Sequence, residues 1–182
     1  MTELTPNHAE GQPIEPIDKD KLEALAQKNI ENPEGGRKKI RSHTEADGHF
    51  RNYTQIRDLA PVLVAEPPAL LGDDSAPNPT DVAQAALASC ISVGIQAIAT
   101  HRNVTLTKIA IDVESDIDVS PTWGTGDLGD HKRPGVSDVR VDVDLEGDAD
   151  RETLQKIVDD AIEWSPVVNT YTRPANLTAK LV

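Results

Sequence analysis

The segment NPTDVAQAALASCISVGIQAIATH, residues 78–101, decides the fold. Asn78 is a favourable N-cap, and Pro79 suits the first position of a helix. Asp81 then adds a negative charge to the first turn, where the helix dipole favours it. The rest of the run contains no proline and a single glycine, Gly94. The segment therefore predicts one long helix that begins directly after its cap.

Strand patterns lie on both sides of this helix. Before it, residues 40–46 and 49–56 flank Asp47-Gly48, a dipeptide that favours a type I′ hairpin turn. After it, apolar residues alternate in residues 105–119, with one slip near Lys108. The other expected elements are strands at residues 62–65, 136–145 and 176–182, a helix from 150 onward and a short element at 165–170. Strands in blocks with helices between them indicate an α+β fold.

The charge balance limits the classes of partner. The chain has 182 residues, enough for one domain, with 31 acidic and 18 basic side chains and a net charge of −13. Such a charge repels nucleic-acid backbones and anionic membrane surfaces, so neither partner is expected. No run approaches the roughly 20 apolar residues of a membrane span, and no secretory signal is recognised. One cysteine excludes an internal disulfide, and we expect a reduced thiol in the cytoplasm.

Two regions are expected along the chain. Residues 1–36 are rich in proline and glycine and predict a flexible N-terminal tail. A short helix is possible at residues 19–29, with Asp18 as its cap. Residues 37–182 carry the strand and helix patterns and form the folded domain.

Small side chains share one face of the long helix. They fall at spacings of three and four: Ala83, Ala86, Cys90, Gly94 and Ala97. We expect close packing along this face against another helix, such as the same helix of a second copy. Taken alone, Cys90 is interpreted as a buried small hydrophobe, since free cysteines are among the most buried residues. It also lies too far from the helix start for the dipole to activate the thiol.

A family resemblance favours a different role for this thiol. The motif Ala76-Pro77-Asn78-Pro79-Thr80-Asp81-Val82, followed by Ala85-Ala86-Leu87-Ala88-Ser89-Cys90, resembles the OsmC/Ohr proteins. Residues 67–72, 165–170 and 172–174 also resemble segments of this family, in the same order. Members include thiol-dependent organic hydroperoxide reductases. The resemblance implies an OsmC-like fold, with antiparallel strands around a long central helix, and an intertwined homodimer with its sites at the subunit interface.

The resemblance also implies site residues, and the sequence departs from two of them. Cys90 occupies the position of the family's reactive cysteine. In active members a second cysteine, directly before a proline, resolves the oxidised thiol, but here Ser165 occupies that position before Pro166. Thr80 replaces the family's glutamate, so Asp81 is the nearest acidic candidate. The family's arginine comes from the early strands; Arg51 is our candidate. Arg41 and Arg57 are the alternatives.

Other candidate sites are weaker. His43 and His49 straddle Asp47-Gly48, but no third ligand converges on them, so we expect neither a metal nor another cofactor. Trp123 lies in a loop at residues 120–135, where it could cover an apolar pocket. We favour a loop anchored to the core by this side chain.

Two functions remain open from the sequence. The first is a one-cysteine organic hydroperoxide reductase, in which Cys90 attacks the peroxide and an external thiol restores it. Arg51 and Asp81 would then activate and orient the reacting groups. The second is a non-catalytic OsmC-like protein that binds a small apolar ligand at the dimer interface, with Cys90 as a buried filler.

Overall fold

A computed structural model describes residues 9, 11–132 and 134–182. The helices in this part of the chain are α1 (Lys19–Glu31), α2 (Pro79–Arg102), α3 (Arg151–Trp164) and α4 (Pro166–Thr172). The strands are β1 (His43–Ala46), β2 (Asn52–Gln55), β3 (Val62–Val64), β4 (Leu106–Asp118) and β5 (Gly135–Gly147). This mixture of antiparallel strands and helices around α2 is the predicted α+β architecture.

Helix α2 is the centre of the fold. It begins at a capping box, in which the Asn78 side chain accepts from the Asp81 N–H and the Asp81 carboxylate accepts from the Asn78 N–H. It ends where Asn103 adopts a left-handed conformation. One face of the helix is buried at four-residue intervals, and its residues are Leu87, Ile91, Ile95 and Ala99. These side chains form the core with Leu106, Ile157 and Ala161.

The small-residue face of α2 packs within the same chain. A Cβ added to Gly94 would lie 3.2 Å from the Cβ of Ala161 in α3, closer than most such contacts. The close packing predicted for this face is therefore present at Gly94. At Gly94 the packing partner is α3 of the same chain, and not the α2 helix of a second copy.

Strands β4 and β5 form a long antiparallel ribbon. Its apolar residues alternate along both strands and pack against the core, and they include Ile109, Ile111, Val113, Val139, Val141, Val143 and Leu145. The other face is acidic, with Asp112 opposite Asp142 and Asp116 opposite Asp138. A register shift between Leu106 and Lys108 confirms the predicted slip.

Strands β1, β2 and β3 form a separate antiparallel sheet in that order. The turn between β1 and β2 differs from the expected two-residue hairpin. Asp47 donates its N–H to the Arg51 carbonyl, so five residues connect the strands. Gly48, His49 and Phe50 all have positive φ, and this longer path replaces the type I′ geometry that Asp47-Gly48 predicts.

The N-terminal segment is docked from residue 14 onward. The Ile14 N–H donates to the Leu106 carbonyl at 2.7 Å, and Lys19 Nζ donates to Asn103 Oδ1 at 2.6 Å. Helix α1 begins with Asp18 as its N-cap, as the sequence predicts. Residues 1–8 and 10 of the expected tail lie outside the described residues.

The predicted closing strand is wrong for the single chain. Residues 176–182 form no strand and are exposed. A strand needs a neighbour to pair its backbone groups, and no described strand of this chain pairs with the segment. The alternating pattern in the sequence shows that the segment suits a strand without showing what it pairs with.

Helix α2 also has the length and composition of a membrane-crossing helix, which the sequence analysis did not anticipate. Its most apolar 18-residue window has a mean hydropathy of 1.7, and 22% of that window is buried within the chain. The core helix of a globular domain passes the same test, so one such helix is weak evidence for a membrane span. In this chain the helix carries the residues on which α3 and β4 pack.

Candidate functional site

Cys90 lies in the middle of α2 and is half-buried. Its sulfur accepts a hydrogen bond from the Ser165 hydroxyl, with Oγ and Sγ separated by 3.1 Å. The two residues are 75 positions apart in the chain. By the family resemblance, Ser165 occupies the position of the second cysteine of two-cysteine members, and in the structure this residue contacts the thiol directly.

The Ser165 hydroxyl is held by the junction of α3 and α4. Ser165 is only 3% exposed. It is the C-cap of α3 and also the N-cap of α4. Pro166 occupies the first position of α4, where its missing N–H costs no hydrogen bond. The hydroxyl oxygen accepts the Val168 N–H at 3.2 Å, which leaves the hydroxyl proton for Cys90. The sulfur therefore faces a buried donor of fixed orientation.

Arg51 lies on the connection between β1 and β2. Its Nη1 pairs with Asp73 Oδ2 at 3.0 Å, and its Nε lies 3.7 Å from Asp47 Oδ2. The pKa of Asp73 is lowered, mainly by hydrogen bonds from Ser75 and further by the Arg51 charge. Nε itself is buried and has no hydrogen-bond partner. In the described part of a single chain, no hydrogen bond or ion pair joins Arg51 to Cys90.

Asp81 takes part in the capping box at the start of α2. It precedes Cys90 by nine positions, which is about 13 to 14 Å along the axis at 1.5 Å per residue. A single chain therefore holds Cys90 at mid-helix apart from Asp81 at the helix start, and it pairs Arg51 with Asp73 instead of with Cys90.

A cavity of about 600 Å³ opens at the start of α2. Its walls come from the segment before α2, the first turns of α2, the end of β4 and the loop between β4 and β5. Glu66 and Asp81 both line it. Burial raises the pKa of Glu66, and the nearby Asp81 charge raises it further. Glu66 could not be singled out from the sequence, because a glutamate before Pro67-Pro68 carries no motif that sets it apart.

Trp123 also lines this cavity. It is 60% exposed, so the favoured expectation that it anchors the loop to the core is wrong. Its ring stacks on Phe50 with the centroids 5.2 Å apart, which ties the loop to the β1–β2 connection. Its φ of 50° is uncommon for a tryptophan and turns the loop at this point.

The histidines of the hairpin do not converge on a site. His43 Nε2 lies 3.2 Å from Glu45 Oε1 on the exposed face of β1. Among the described residues, no three histidine, cysteine or acidic side chains are placed to hold a metal ion.

Comparison with known proteins agrees with the architecture and the motif. Residues 72–180 match the family described as OsmC-like protein. An OsmC-like protein of Mycoplasma pneumoniae is similar in structure, with a TM-score of 0.61, 15% identity, and 74% of this chain and 88% of that chain covered. An organic hydroperoxide resistance protein OsmC of Legionella pneumophila gives a TM-score of 0.56 and 20% identity, with 72% and 88% covered.

A third structure, an OsmC-like protein of Vibrio cholerae, gives a TM-score of 0.56 and 14% identity, with 74% of this chain and 94% of that chain covered. A search of curated protein sequences returned no match. Since the family match covers more than half of the chain, the protein belongs to the OsmC family. The predicted kinship and the predicted fold are thereby confirmed.

Proposed function

We propose that this protein is a one-cysteine, thiol-dependent reductase of organic hydroperoxides. The observation that carries the proposal is the contact between Cys90 and Ser165. A buried hydroxyl that donates to the sulfur stabilises a thiolate, the form of cysteine that acts as a nucleophile. The same donor stabilises the negative charge again when a sulfenate forms on Cys90.

The reaction balances with an external thiol as the reductant. The Cys90 thiolate attacks the outer peroxide oxygen, the O–O bond breaks, and the leaving alkoxide takes a proton to become an alcohol. Cys90 is oxidised to a sulfenic acid. One external thiol then forms a mixed disulfide with Cys90 and releases water. A second thiol breaks this disulfide and restores the Cys90 thiol, so one hydroperoxide consumes two thiols.

Ser165 determines the route of this cycle. A second sulfur at its position would condense with the sulfenic acid and form an internal disulfide. A hydroxyl cannot close that bond, so the sulfenic acid waits for a thiol from solution. The proposal accordingly places the protein in a reducing compartment, the cytoplasm.

A homodimer is part of the proposal, because the single chain leaves much surface uncovered. Among the described residues, the exposed apolar side chains include Val93 on α2, Ile117 on β4 and Leu177 in the unpaired C-terminal segment. A second copy that covered them would remove this apolar surface from water.

A dimer also supplies what Cys90 lacks in one chain. Arg51 makes its recorded contacts to Asp47 and Asp73, and Asp81 lies about nine residues before Cys90 on α2. We propose that each completes the site of the other subunit. The second copy would bring the Arg51 guanidinium toward the thiol and exclude water from the reacting atoms. An apolar hydroperoxide would enter between the subunits.

The test is consumption of cumene hydroperoxide with an external thiol by the full-length protein. We expect saturable turnover that Cys90→Ser abolishes and that Arg51→Ala lowers by about tenfold or more, since the thiolate loses a cation. Arg37→Ala, an exposed arginine in the N-terminal region, is the matched control and should leave turnover unchanged.

Two results would decide against this function. Turnover that persists in Cys90→Ser would place the chemistry elsewhere. A Cys90 that neither reacts with peroxide nor alkylates until the protein unfolds would leave the alternative, a non-catalytic protein that binds a small apolar ligand between its subunits.

A further inference from the structure

The side chain of Asn169 bridges the junction between α3 and α4. Its Nδ2 donates to two backbone carbonyls, that of Glu163 at 2.9 Å and that of Ser165 at 2.8 Å. A side-chain amide has two N–H donors, so both donors of Asn169 are engaged. The backbone N–H of Asn169 also donates to the Ser165 carbonyl, at 3.0 Å. Asn169 therefore holds Ser165 through its side chain and its backbone.

Ser165 is the residue at which the chain changes direction between the two helices. Its φ of −70° and ψ of 120° are extended, whereas the residues on both sides are helical. Glu163 lies in the last turn of α3, where carbonyl groups have no partner within the helix. The bond from Asn169 to Glu163 supplies such a partner and spans the extended residue. It therefore limits the rotation of α4 relative to α3.

Helix α4 is too short to fix its own direction. It has 7 residues, and isolated helices of this length are not stable in water. Val167 and Val168 pack against the core, but the burial of apolar side chains is non-directional. Hydrogen bonds, in contrast, constrain both a distance and an angle. The bonds from Asn169 therefore supply a directional constraint that the packing of α4 lacks.

The direction of this junction decides whether the Ser165 hydroxyl meets the thiol. The hydroxyl donates to Cys90 Sγ at 3.1 Å while it accepts the Val168 N–H at 3.2 Å. A hydrogen bond weakens steeply when its angle departs from the favourable range. A small rotation at Ser165 is therefore enough to lose the donor at the sulfur.

We infer that Asn169 is a positioning residue, which holds the Ser165 hydroxyl toward Cys90 and acts on the sulfur only through that hydroxyl. The inference rests on the proposed function, in which the hydroxyl stabilises the Cys90 thiolate. In the described part of the chain, no hydrogen bond joins Asn169 to Cys90. Asn169 thus takes no part in the chemical steps themselves.

The first test is the S–H stretching band of Cys90 in the Raman spectrum of the full-length protein. The chain has one cysteine, so the band belongs to Cys90. Its frequency responds to hydrogen bonds at the sulfur. We expect the band in Asn169→Ala to shift to the position that it has in Ser165→Ala. Iodoacetamide should also alkylate Cys90 more slowly in both variants, by severalfold at neutral pH.

The double variant Ser165→Ala/Asn169→Ala separates positioning from packing. Once the hydroxyl is absent, loss of Asn169 should change neither the band nor the alkylation rate. The free energy of unfolding should still fall, because the bond to Glu163 is lost there as well. Thr170→Ala is the matched control. This exposed residue of α4 loses its hydroxyl bond to the Pro166 carbonyl and should leave Cys90 unchanged.

Asn169→Thr removes only the bond that spans the junction. Thr170 and Thr172 each donate to the carbonyl four residues earlier, and a hydroxyl at position 169 can donate to the Ser165 carbonyl in the same way. This variant keeps a side-chain bond within α4 and serves where Asn169→Ala fails to fold. We expect the band to shift in the same direction as in Asn169→Ala, because Glu163 is no longer held.

Two results would overturn the inference. The band and the alkylation rate of Asn169→Ala and Asn169→Thr could match those of the parent protein. Alternatively, Asn169→Ala could slow alkylation by the same factor with and without the Ser165 hydroxyl, which would show an effect on packing alone. Neither measurement uses a peroxide. A parent protein without peroxide turnover would therefore contradict the proposed function and leave the test of Asn169 in force.

Discussion

The hydroxyl of Ser165 donates to the sulfur of Cys90 across 3.1 Å, and it joins the middle of α2 to the junction of α3 and α4. The contact is fixed from both sides. Cys90 lies within a long capped helix. Ser165 is the N-cap of α4, and only 3% of this residue is exposed. Changes at these two positions therefore report on the chemistry of the site and on its packing.

Ser165→Cys is expected to create an internal disulfide. The Oγ–Sγ distance shows that the two side chains already meet, so a second sulfur lies within reach of an oxidised Cys90. One equivalent of peroxide should remove both free thiols, measured by thiol titration and by a mass loss of two hydrogens. Ser75→Cys, in the loop before α2, is the control and should form no internal disulfide. If the Ser165→Cys variant forms no internal disulfide after oxidation, the contact between positions 90 and 165 does not hold in solution.

Ser165→Ala should weaken both the fold and the reactivity of Cys90. Loss of the N-cap contact to the Val168 N–H is expected to cost about 1 kcal/mol of unfolding free energy. Loss of the donated hydrogen bond should slow alkylation of Cys90 at neutral pH by severalfold. Chemical denaturation and iodoacetamide kinetics measure the two effects. Ser89→Ala, on the exposed face of α2, should change neither.

Gly94→Val tests the close packing of α2 on α3. A Cβ at this position already meets the Cβ of Ala161 at 3.2 Å, so two further methyl groups must displace α3. We expect a loss of about 1 to 3 kcal/mol of unfolding free energy from overpacking. Ala85→Val, on an exposed part of the same helix, controls for the lower helix propensity of valine and should cost less than about 1 kcal/mol. Equal losses in the two variants would argue against close contact between the two helices at Gly94.

The loop between β4 and β5 should respond to acid through Asp118. Hydrogen bonds from Ser120 and the charge of Lys132 lower the pKa of this carboxyl from 3.8 to about 2. Since the folded pKa is depressed, these contacts stabilise the loop fully above about pH 4 and are lost as pH falls through about 2. An NMR titration of the Asp118 carboxyl should have its midpoint near pH 2. In Ser120→Ala the midpoint should move toward 3.8, whereas Ser137→Ala should leave it in place.

Local signals explain why much of the fold could be predicted from the sequence. Asn78, Pro79 and Asp81 each favour the same helix start, and the structure shows them in one capping box. The alternation in β4 was clear enough to reveal its slip near Lys108. These features depend on residues that are close in sequence, so they can be recognised from the sequence itself.

Features that depend on distant contacts were predicted less well. The strand pattern of residues 176–182 could not show whether a pairing strand exists in the same chain. The partner of Gly94 could not be chosen from a stripe of small residues, because α3 and a second α2 are equally compatible with it. Asp47-Gly48 predicted a two-residue turn, but the Asp47–Arg51 hydrogen bond sets a longer one.

The candidate site was only partly accessible to sequence reasoning. Motif resemblance placed Ser165 at the position of the second cysteine, and the structure shows its hydroxyl in contact with Cys90. Glu66 had no such signal, because its raised pKa comes from desolvation in the folded chain and from the Asp81 charge beside it. Trp123 was noticed as a loop aromatic, but its stacking on Phe50, which lies in a distant part of the chain, carries no local sequence signal.

Because a hydroxyl stands where a second sulfur would close the cycle, a sulfenic acid on Cys90 would have no partner of its own under the proposed activity. With two cysteines, the geometry of the pair sets how quickly the sulfenic acid becomes a disulfide, and only that disulfide waits for a reductant. With one cysteine, the lifetime of the sulfenic acid itself would depend on the abundance of small thiols around the protein. The fraction of Cys90 held as sulfenic acid would then record the concentration of peroxide against that of thiol.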